Sequence, residues 1–597
     1  MRSAGGVNDF AIKIATVNGT GSASANGMLM QAIFRMGIPI SGKNVFPSNI
    51  QGLPTWYEIR VNGEGHTART PVFDIVIAMN PQTYAKDVAT VAAGGWLLYD
   101  STWPLDAALE RDDIHFIGIP LARMCGESFQ GSRTRVLLKN ITYVGALVAL
   151  LNLDMNVVQE MLNEKFSRKA HLLEANRQAL KLGEDYARAH FTCPLPIRLE
   201  SLDKTSDHIM IDGNTAAALG CVFAGATVAA WYPITPSTSL VDGFTRFSER
   251  YRKNEDGTRN VIIMQAEDEL SAAGMTIGAG WAGARSFTST SGAGISLMNE
   301  FLGLAYYAEI PSVFFNIQRT GPSTGMPTRT QQGDVFSTIY ASHGDTAHIA
   351  LFPADPGECF TMARDSFDLA ERYQTPVFVL SDLDIGMNDW MVPRFEWDDS
   401  YVPDRGKVLT AEQLESMENF YRYLDVDGDE IPYRTLPGVH PKGAYFTRGS
   451  GHDKYGRYTE DSVLYQEVVD RLKRKVNSSG ATSPQPIIER SEGAKFSIVT
   501  LGGCDRAVRE AIAEYAEQGV AVDYMRIRAF PFADCVEEFL REHETNYIVE
   551  QNRDGQLHRI LLLETDIEKR FITSVTNYNG LPLSAHHVVN GIKKVQE

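Results

Sequence analysis

Short apolar runs alternate with amphipathic stretches along most of this chain. The run Phe10–Val17 reads FAIKIATV, ends at the turn Asn18–Gly21 and is followed by helical periodicity from Ala23 to Met36. A buried strand, a glycine turn and a helix in this order are typical of nucleotide-type α/β folds. The same pattern predicts a first α/β domain over residues 1–192. It also contains two strand patterns and a long helical region: Val72–Met79, Gly95–Tyr99 and Ile141–Ala189.

A second α/β domain is predicted over residues 205–387, after a proline-containing linker. Strand and helix patterns alternate through it, which predicts a parallel, doubly wound sheet. The predicted strands are Thr227–Trp231, Val261–Met264, Arg285–Thr288, Ser312–Ile317 and Pro376–Leu380. The predicted helices are Ser271–Ala284, Gly294–Tyr307 and Pro356–Tyr373.

The alternation stops at residues 388–485, which are rich in Tyr, Asp, Gly and Pro and predict an irregular insertion ending in the linker Ser479–Pro486. A last α/β domain is predicted over residues 490–597. Its elements are a strand from Phe496, a helix Arg506–Gln518 and the strands Val520–Tyr524 and Asn546–Glu550. The predicted fold class is therefore α/β, multidomain, with parallel doubly wound sheets.

Length and charge narrow the functional classes. The 597 residues correspond to about four domains at roughly 150 residues each. With 74 acidic and 56 basic side chains the net charge is −18, which argues against a nucleic-acid or anionic-membrane surface. The most apolar stretch, Ile141–Leu153, is too short to span about 30 Å of hydrocarbon. Residues 1–6 lack an apolar signal core, so we expect a cytoplasmic protein.

The six cysteines indicate neither a metal site nor a disulfide framework. They are Cys125, Cys193, Cys221, Cys359, Cys504 and Cys535. No CxxC spacing occurs, so the sequence has no iron–sulfur or structural zinc signature. We expect free thiols in a reducing compartment and no metal bound by this chain.

Two motifs leave their interpretation open. The turn Gly19-Thr20-Gly21 offers backbone N–H groups to a phosphate, but GxGxxG is not met, and a plain tight turn is the favoured interpretation. The segment Asp425–Asp429 resembles part of a calcium loop, yet Gly428 is its fourth residue and Pro437 its twelfth. A solvated acidic turn is favoured over a calcium site there.

Four strand–helix junctions of the second domain carry polar, glycine-rich or charged residues. They are YPITPST at 232–238, QAEDEL at 265–270, TSTSGAG at 288–294 and QRTGPSTGMPT at 318–328. Since the carboxyl ends of parallel strands meet at one edge of a sheet, where ligands bind in open α/β folds, these four segments are expected to converge. In the first segment, Thr235 either presents its hydroxyl to a ligand or belongs to a stiff turn with Ser237 as a helix N-cap.

The second segment opens a helix rich in small residues. Glu267 and Asp268 are explained by helix capping. Gly274 and Gly278 share one helix face and each lowers helix propensity by about 1 kcal/mol, so we expect a close approach there of another backbone or of a bound cofactor. A carboxyl group shielded from water beside such a face is expected to hold a proton, which makes Glu269 the candidate catalytic residue.

As a set, these motifs resemble the α subunit of 2-oxoacid:ferredoxin oxidoreductases, which depend on thiamine diphosphate and coenzyme A. The resemblance is strongest over residues 209–385 and includes Glu550-Gln551-Asn552 with Gly555-Gln556, typical of a transketolase C-terminal-like domain. Residues 1–190 resemble the γ subunit, although NGTG is shorter than the family's glycine-rich run. A γ part fused in front of α is the arrangement of the 2-oxoglutarate-specific members.

The resemblance implies roles for individual residues of a thiamine diphosphate pyrimidine-binding domain at 205–387. Glu269 would hydrogen-bond N1′ of the aminopyrimidine and so promote removal of the thiazolium C2 proton. Arg319 would bind the substrate carboxylate, and Thr235 and Thr328 would contact the substrate. The cofactor-binding residues implied beside Glu269 are Pro233, Ile234 and Gly292.

The resemblance also implies a partner chain. The sequence contains no GDG motif for the Mg²⁺-diphosphate and no cluster cysteines. Both are expected on a β subunit, with Mg²⁺, a [4Fe–4S] cluster and the docking site of ferredoxin, in an (αβ)₂ assembly. The implied reaction is reversible oxidative decarboxylation of 2-oxoglutarate to succinyl-CoA. Two alternatives stay open: the same chemistry on pyruvate or another 2-oxoacid, and a non-catalytic CoA-binding or assembly subunit.

Overall fold

The computed structural model describes residues 6–48 and 52–597 and divides them into two compact units. Unit 1 comprises residues up to Met210 with Asn388–Arg394 and Ser584–His586. Unit 2 comprises Ile211–Met387, Phe395–Leu583 and His587–Glu597. The first five residues, part of the segment in which the sequence predicts no signal core, lie outside the described residues.

The described residues up to 211 form seven strands and six α-helices. The strands are β1 Asp9–Val17, β2 Ile40–Val45, β3 Pro54–Asn62, β4 Phe73–Ala78, β5 Val91–Asp100, β6 His115–Ile119 and β7 His208–Ile211. The helices are α1 Ser22–Arg35, α2 Tyr84–Ala89, α3 Leu121–Ser128, α4 Ser132–Leu151, α5 Met155–Phe166 and α6 Ala170–His190.

The middle of the chain continues the alternation. Its strands are β8 Val228–Trp231, β9 Ile262–Gln265, β10 Ser286–Thr290, β11 Ser312–Gln318, β12 Ile349–Leu351, β13 Pro376–Asp382 and β14 Trp390–Pro393. Its helices are α7 Gly213–Phe223, α8 Thr238–Tyr251, α9 Glu269–Trp281, α10 Gly292–Tyr307, α11 Val335–Ile339, α12 Pro356–Tyr373 and α13 Leu383–Met387.

The last third holds the remaining elements. The strands are β15 Ile487–Glu489, β16 Ser497–Leu501, β17 Asp523–Ile527, β18 Ala529–Phe530, β19 Asn546–Glu550 and β20 Ile572–Thr576. The helices are α14 Ala411–Ser416, α15 Ser462–Asn477, α16 Asp505–Glu517, α17 Asp534–Arg541, α18 Gln556–Glu564 and α19 Ala585–Gln596.

Unit 1 is built on a mixed sheet in the order β6-β5-β4-β1-β3-β2-β14-β7. The pairs from β1 through β4 and β5 to β6 are parallel, but β3 pairs antiparallel with both β1 and β2. Where the sequence predicts parallel doubly wound sheets, this unit adds antiparallel strands to the parallel set β1, β4, β5 and β6. The pattern of β3, PTWYEIRVN, alternates polar and apolar residues, which is typical of an antiparallel strand.

The predicted long helical region of unit 1 is three helices, α4, α5 and α6. Helix α4 has 20 residues and is, by length and composition alone, long and apolar enough to cross a membrane. The sequence-based prediction considered only the 13-residue apolar stretch Ile141–Leu153 and missed this property. However, 67 % of the most apolar window of α4 is buried within the protein. Its side chains join the main core of the unit, so α4 has the character of a core helix.

The glycine turn of unit 1 is filled by side chains of α4. Gly19 and Gly21 have positive φ angles of 87° and 80°, which glycine adopts without strain. Leu137 lies against Gly21, where a Cβ would come within 2.5 Å of it. Asn140 donates a hydrogen bond to the Thr20 carbonyl at 2.9 Å. These contacts favour the tight-turn interpretation.

Unit 2 contains two sheets. The larger has the order β18-β12-β13-β11-β10-β8-β9, parallel except for β18, an edge strand supplied by the C-terminal part. The smaller has the order β15-β17-β16-β19-β20, parallel except for β15. These sheets confirm the α/β fold class.

The insertion is less irregular than predicted. It contains the 16-residue helix α15, whose buried face combines Val468, Leu472 and Val476 with Arg471 and Lys475. The predicted linker begins as a buried 3-10 turn, Ser478–Ala481. The acidic turn lies against Lys407, whose Nζ is 2.7 Å from carboxylate oxygens of both Asp427 and Asp429, as expected for a turn without calcium.

A buried charge cluster attaches α15 to the larger sheet's helices. We define the Glu309 cluster as Glu309, Arg471 and Lys475. Arg471 pairs with the Glu309 carboxylate, and Lys475 donates to it at 2.7 Å. Burial alone would raise the pKa of Glu309, but the two cations hold it well below its usual value, while burial lowers the pKa of Lys475 to about 8. The Glu309 carboxylate and the two cations therefore stabilise one another in place of water.

The Glu309→Ala variant is expected to destabilise the protein by roughly 3–5 kcal/mol, because two buried cations lose their counter-charge. The control is Lys181→Ala, which breaks an exposed pair with Asp185 and should change stability by about 0.5 kcal/mol or less. Urea unfolding of both variants measures the difference. Equal effects would show that the cluster does not stabilise the insertion.

Candidate functional site

The four polar segments follow four neighbouring parallel strands of the larger sheet. Strands β9, β8, β10 and β11 are adjacent in that order. Trp231 is in register with Gln265, and Thr290 is in register with Asn316, so the strands end close to one another. The predicted convergence at one sheet edge is confirmed, because parallel pairing places all four carboxyl ends together.

Arg319 links two of these segments. It follows β11 directly, and its Nη1 donates a hydrogen bond to the backbone carbonyl of Thr235 at 2.7 Å. Burial lowers its pKa, and the carboxylates of Asp334 and Glu269 oppose that shift. The Thr235 bond is the hydrogen bond that its guanidinium makes within the described residues, so several N–H donors remain for an anion.

Glu269 occupies the first turn of α9. Asp268 is the N-cap and accepts from the Ser271 amide at 2.7 Å, which confirms the capping role predicted for that carboxylate. Glu269 is only 7 % exposed, and no hydrogen bond or ion pair reaches its carboxylate in the part of the chain that the structure describes. At position 294 in α10, a Cβ would lie 2.9 Å from Cγ of Glu269, so glycine makes room for this side chain.

The small-residue face of α9 packs against the chain's own elements. A Cβ at Gly274 would meet the ring of Phe301 in α10 at 2.9 Å, and Gly280 lies directly on the Pro311 carbonyl. Gly278 faces open space. Of the two expected reasons for these glycines, close helix and backbone packing therefore explains Gly274 and Gly280.

A second carboxyl group, which the sequence analysis did not find, lies in the same site. Asp334 accepts a hydrogen bond from Asn316 Nδ2 at 3.5 Å, and its amide donates to Gln318 Oε1 at 3.0 Å. Burial raises the pKa of Asp334 to about 6, although the hydrogen bond from Asn316 and the positive charge of Arg319 both lower it. In the sequence, Asp334 ends the motif QQGD, which follows the polar segment 318–328. The loop 319–334 brings this motif back to the end of β11.

The other predicted residues are distributed around this centre. Thr328 is 8 % exposed, and its Oγ1 accepts from Arg329 at 3.2 Å. Within the described ranges, no hydrogen bond connects Thr328 with Thr235, Arg319 or Glu269. Gly292 opens α10, and the Asp334 carboxylate fills the place where its Cβ would stand.

The 232–238 segment forms a compact turn. Pro233 is exposed and Ile234 half-buried, and the Ile234 carbonyl accepts from the amides of Ser237 and Thr238. Ser237 occupies the N-cap position of α8 without a side-chain capping bond. Thr235 is exposed, so the turn leaves its hydroxyl open to a ligand.

Gln332 joins the site loop to the C-terminal part of unit 2. This side chain is 1 % exposed; its Nε2 donates to the Leu501 carbonyl at 3.0 Å, and its Oε1 accepts from the Gln551 amide at 3.0 Å. Its backbone amide donates to the Gln551 carbonyl at 2.8 Å. Asn552 Nδ2 donates to its carbonyl at 3.1 Å. We call these contacts the Gln332 junction.

The EQN and GQ residues build the other side of this junction. Burial raises the pKa of Glu550, which accepts from the amides of Leu557 and His558 at the start of α18. Gln556 donates to the Gly333 carbonyl at 2.7 Å and accepts from the Phe336 amide at 2.9 Å. These two glutamine contacts hold the residues on either side of Asp334.

The residues fit the pyrimidine end of thiamine diphosphate. A nearly buried carboxyl group without a protein partner, Glu269, is the group that would receive a ring nitrogen. For a metal-bound diphosphate, no cluster of three or more His, Cys, Asp or Glu side chains is placed to hold an ion in residues 6–48 and 52–597. All six cysteines are unpaired, as expected.

Two family models match this chain. Residues 219–411 match "Pyruvate flavodoxin/ferredoxin oxidoreductase, thiamine diP-bdg", and residues 11–186 match "Pyruvate ferredoxin/flavodoxin oxidoreductase". The first match contains all four polar segments and Asp334.

Curated relatives and solved structures are similar to this chain. The 2-oxoacid:ferredoxin oxidoreductase 2 α subunit of Aeropyrum pernix is 29 % identical over 99 % of this chain and 98 % of its own. The 2-oxoglutarate synthase subunit KorA of Methanothermobacter thermautotrophicus is 32 % identical over 59 % of this chain and 89 % of its own. The Magnetococcus marinus 2-oxoglutarate:ferredoxin oxidoreductase structure, solved with 2-oxoglutarate, coenzyme A and succinyl-CoA bound, superposes with a TM-score of 0.89 at 28 % identity, covering 99 % of this chain and 100 % of that one.

The Gln332→Met variant is expected to destabilise unit 2 by about 2 kcal/mol, because the buried Leu501 carbonyl and Gln551 amide lose partners without a replacement. The matched control is Gln331→Met, since the Gln331 side chain makes no hydrogen bond within the described residues. Calorimetric melting of both variants tests this. A Gln332 variant that melts with the control would contradict the importance of the junction.

Proposed function

Because this chain belongs to the 2-oxoacid:ferredoxin oxidoreductase family, we propose that it is the α subunit, with a fused γ-type domain, of a 2-oxoglutarate:ferredoxin oxidoreductase. The reaction converts 2-oxoglutarate and coenzyme A to succinyl-CoA and CO₂, passes two electrons to ferredoxin and is reversible. The observation that carries the proposal is the buried, unpartnered Glu269 carboxyl beside Arg319 at the sheet edge. The relatives named for 2-oxoglutarate support the choice of substrate.

We assign four functional parts to the chain. Residues 1–192 form the γ-type domain, and residues 205–387 form the pyrimidine-binding domain. Residues 388–485 form the insertion, and residues 490–597 form the transketolase C-terminal-like domain. The parallel strands β17, β16, β19 and β20 in the last part and the Gln332 junction support its assignment as a partner of the pyrimidine-binding domain.

Each site residue has a proposed role in the chemistry. Bound thiamine diphosphate supplies the nucleophilic carbon that attacks the 2-oxo group. Glu269 hydrogen-bonds the ring nitrogen N1′ and exchanges a proton with it. Arg319 directs its free N–H donors to the substrate carboxylate. Thr235 and Thr328 contact the substrate, and Pro233, Ile234 and Gly292 line the cofactor.

The remaining components belong to a partner chain. We propose a β subunit that holds the Mg²⁺-diphosphate and a [4Fe–4S] cluster, since this sequence has neither GDG nor clustered cysteines. The complex is an (αβ)₂ assembly in the cytoplasm. Ferredoxin docks on β near the cluster, because a net charge of −18 on this chain repels an acidic protein.

Loss of Glu269 tests the catalytic role. In the complex of this chain with its β subunit, Glu269→Gln should lower kcat at least about 100-fold, as expected when a positioned proton donor is removed. Glu267→Gln, an exposed carboxylate two residues earlier, is the matched control. Retained complex formation with lost turnover supports catalysis; an active Glu269 variant would instead favour a non-catalytic assembly subunit.

Substrate identity is tested by viologen reduction in the same complex. With coenzyme A present, kcat/KM for 2-oxoglutarate should exceed that for pyruvate by at least about tenfold, corresponding to one well-made extra contact of about 1.4 kcal/mol. Iron and thiamine analyses accompany the assay. Preference for pyruvate would assign the chain to the same chemistry on another 2-oxoacid, since Arg319 recognises the carboxylate common to both.

A further inference from the structure

Arg319 lies within electrostatic reach of two carboxyl groups and pairs with neither. Asp334 and Glu269 both raise its pKa against the effect of burial, and Asp334 has the larger influence. No ion pair within 4 Å joins the guanidinium to either carboxylate among the described residues. The hydrogen bond to the Thr235 carbonyl fixes one end of the group. Two carboxylates thus attract the guanidinium, while the Thr235 carbonyl holds one of its ends.

Asp334 is fixed more firmly than a surface carboxylate. Its amide bonds Gln318 and its side chain bonds Asn316, both on β11, which ends immediately before Arg319. Gly292 at the start of α10 packs against the carboxylate, where any larger residue would overlap with it. These contacts hold the Asp334 carboxylate close to the end of β11, next to the segment that carries Arg319.

We propose that Asp334 is a positioning residue for substrate recognition, which keeps the Arg319 guanidinium out of an ion pair with Glu269 and available to the carboxylate of the 2-oxoacid. The inference rests on the proposed function, because it takes Arg319 as the substrate-binding cation. Without the Asp334 charge, Glu269 is the remaining carboxylate that acts on Arg319. An Arg319–Glu269 pair would occupy both the substrate-binding cation and the cofactor-binding carboxyl.

The C-terminal part of unit 2 contributes to this position. Gln556 bonds the Gly333 carbonyl and the Phe336 amide on either side of Asp334, and Gln332 fixes the preceding residue. The placement of Asp334 therefore depends on segments more than 200 residues further along the chain.

The protonation of Asp334 gives the proposal a pH signature. Its pKa of about 6 means that the charge is present above pH 6 and is lost as the pH falls through that value. Arg319, which follows β11, acts on the Asp334 carboxyl, and Glu269 of α9 acts in turn on Arg319. Neighbouring elements bring two more buried carboxyls, Asp382 at the end of β13 and Glu550 at the end of β19, whose pKa values burial also raises. Comparison with a variant separates Asp334 from these groups.

The experiment uses the complex with the β subunit and compares wild type with Asp334→Asn and Asp334→Glu. At pH 7.5 the Asn variant should raise KM for 2-oxoglutarate about tenfold, equal to about 1.4 kcal/mol, with a smaller change in kcat. The Glu variant should restore part of the loss. Calorimetric binding of 2-oxoglutarate without coenzyme A provides a second readout, and thermal melting confirms that each variant folds.

The pH profile completes the test. Wild-type KM should rise toward that of the Asn variant as the pH falls from 7.5 to 5.5, because protonated aspartic acid and asparagine are both neutral. A wild-type KM that stays apart from the variant at pH 5.5, or an Asn variant that binds substrate as tightly as wild type at pH 7.5, would overturn the proposal.

Arg319→Met separates the two levels of inference. If wild type reduces viologen with a 2-oxoacid and Arg319→Met raises KM, the proposed function stands. An unchanged Asp334→Asn variant beside that result would then reject only the positioning role. If wild type shows no 2-oxoacid-dependent reduction, the proposed function itself fails.

Discussion

The hydrogen bonds of one buried glutamine connect the two sheets of unit 2. The Gln332 side chain lies in the loop after β11 and hydrogen-bonds the Leu501 carbonyl and the Gln551 amide in the C-terminal part. A buried polar group left unpaired costs more free energy than an average hydrogen bond contributes. The hydrogen bonds of Gln332 therefore favour the observed arrangement of the loop against the C-terminal part. The site depends on this contact, because Asp334 lies two residues beyond Gln332. The EQN and GQ residues thus have a structural role, because they hold the loop that carries Asp334.

Buried charge has two different uses in this molecule. In the Glu309 cluster the ions satisfy one another and attach helix α15 of the insertion to the larger sheet's helices. At the sheet edge, no hydrogen bond or ion pair reaches the Glu269 carboxylate among the described residues, and the Arg319 guanidinium donates to the Thr235 carbonyl. A charge that is left without partners destabilises a fold, so its presence at the convergence of four strand ends marks a place prepared for a ligand.

Much of the architecture follows from local patterns. The predicted strands of unit 2 agree with the observed ones to within one to three residues, and helix α12 has the predicted bounds, Pro356–Tyr373. Apolar runs of four to seven residues between glycine turns left few alternatives to buried parallel strands. Patterns dominated by turn residues were less informative: α15 was missed within the insertion, and the antiparallel strands β2 and β3 were missed in unit 1. Strand β17 lies about three residues later than predicted, and its first residue, Asp523, pairs with Ser497 of β16.

The sequence by itself determined the α/β class, the four polar strand ends and the identity of Glu269, Arg319 and Thr235 as residues of one edge. Those conclusions rest on local periodicity and on the rule that parallel strands bring their carboxyl ends together. Only the tertiary structure decided that Asp334 joins them and that Gly274 and Gly280 of α9 serve close packing. The physical reason is range: each of these facts depends on contacts between segments distant in the chain, and burial and charge at such contacts have no signature in the local pattern.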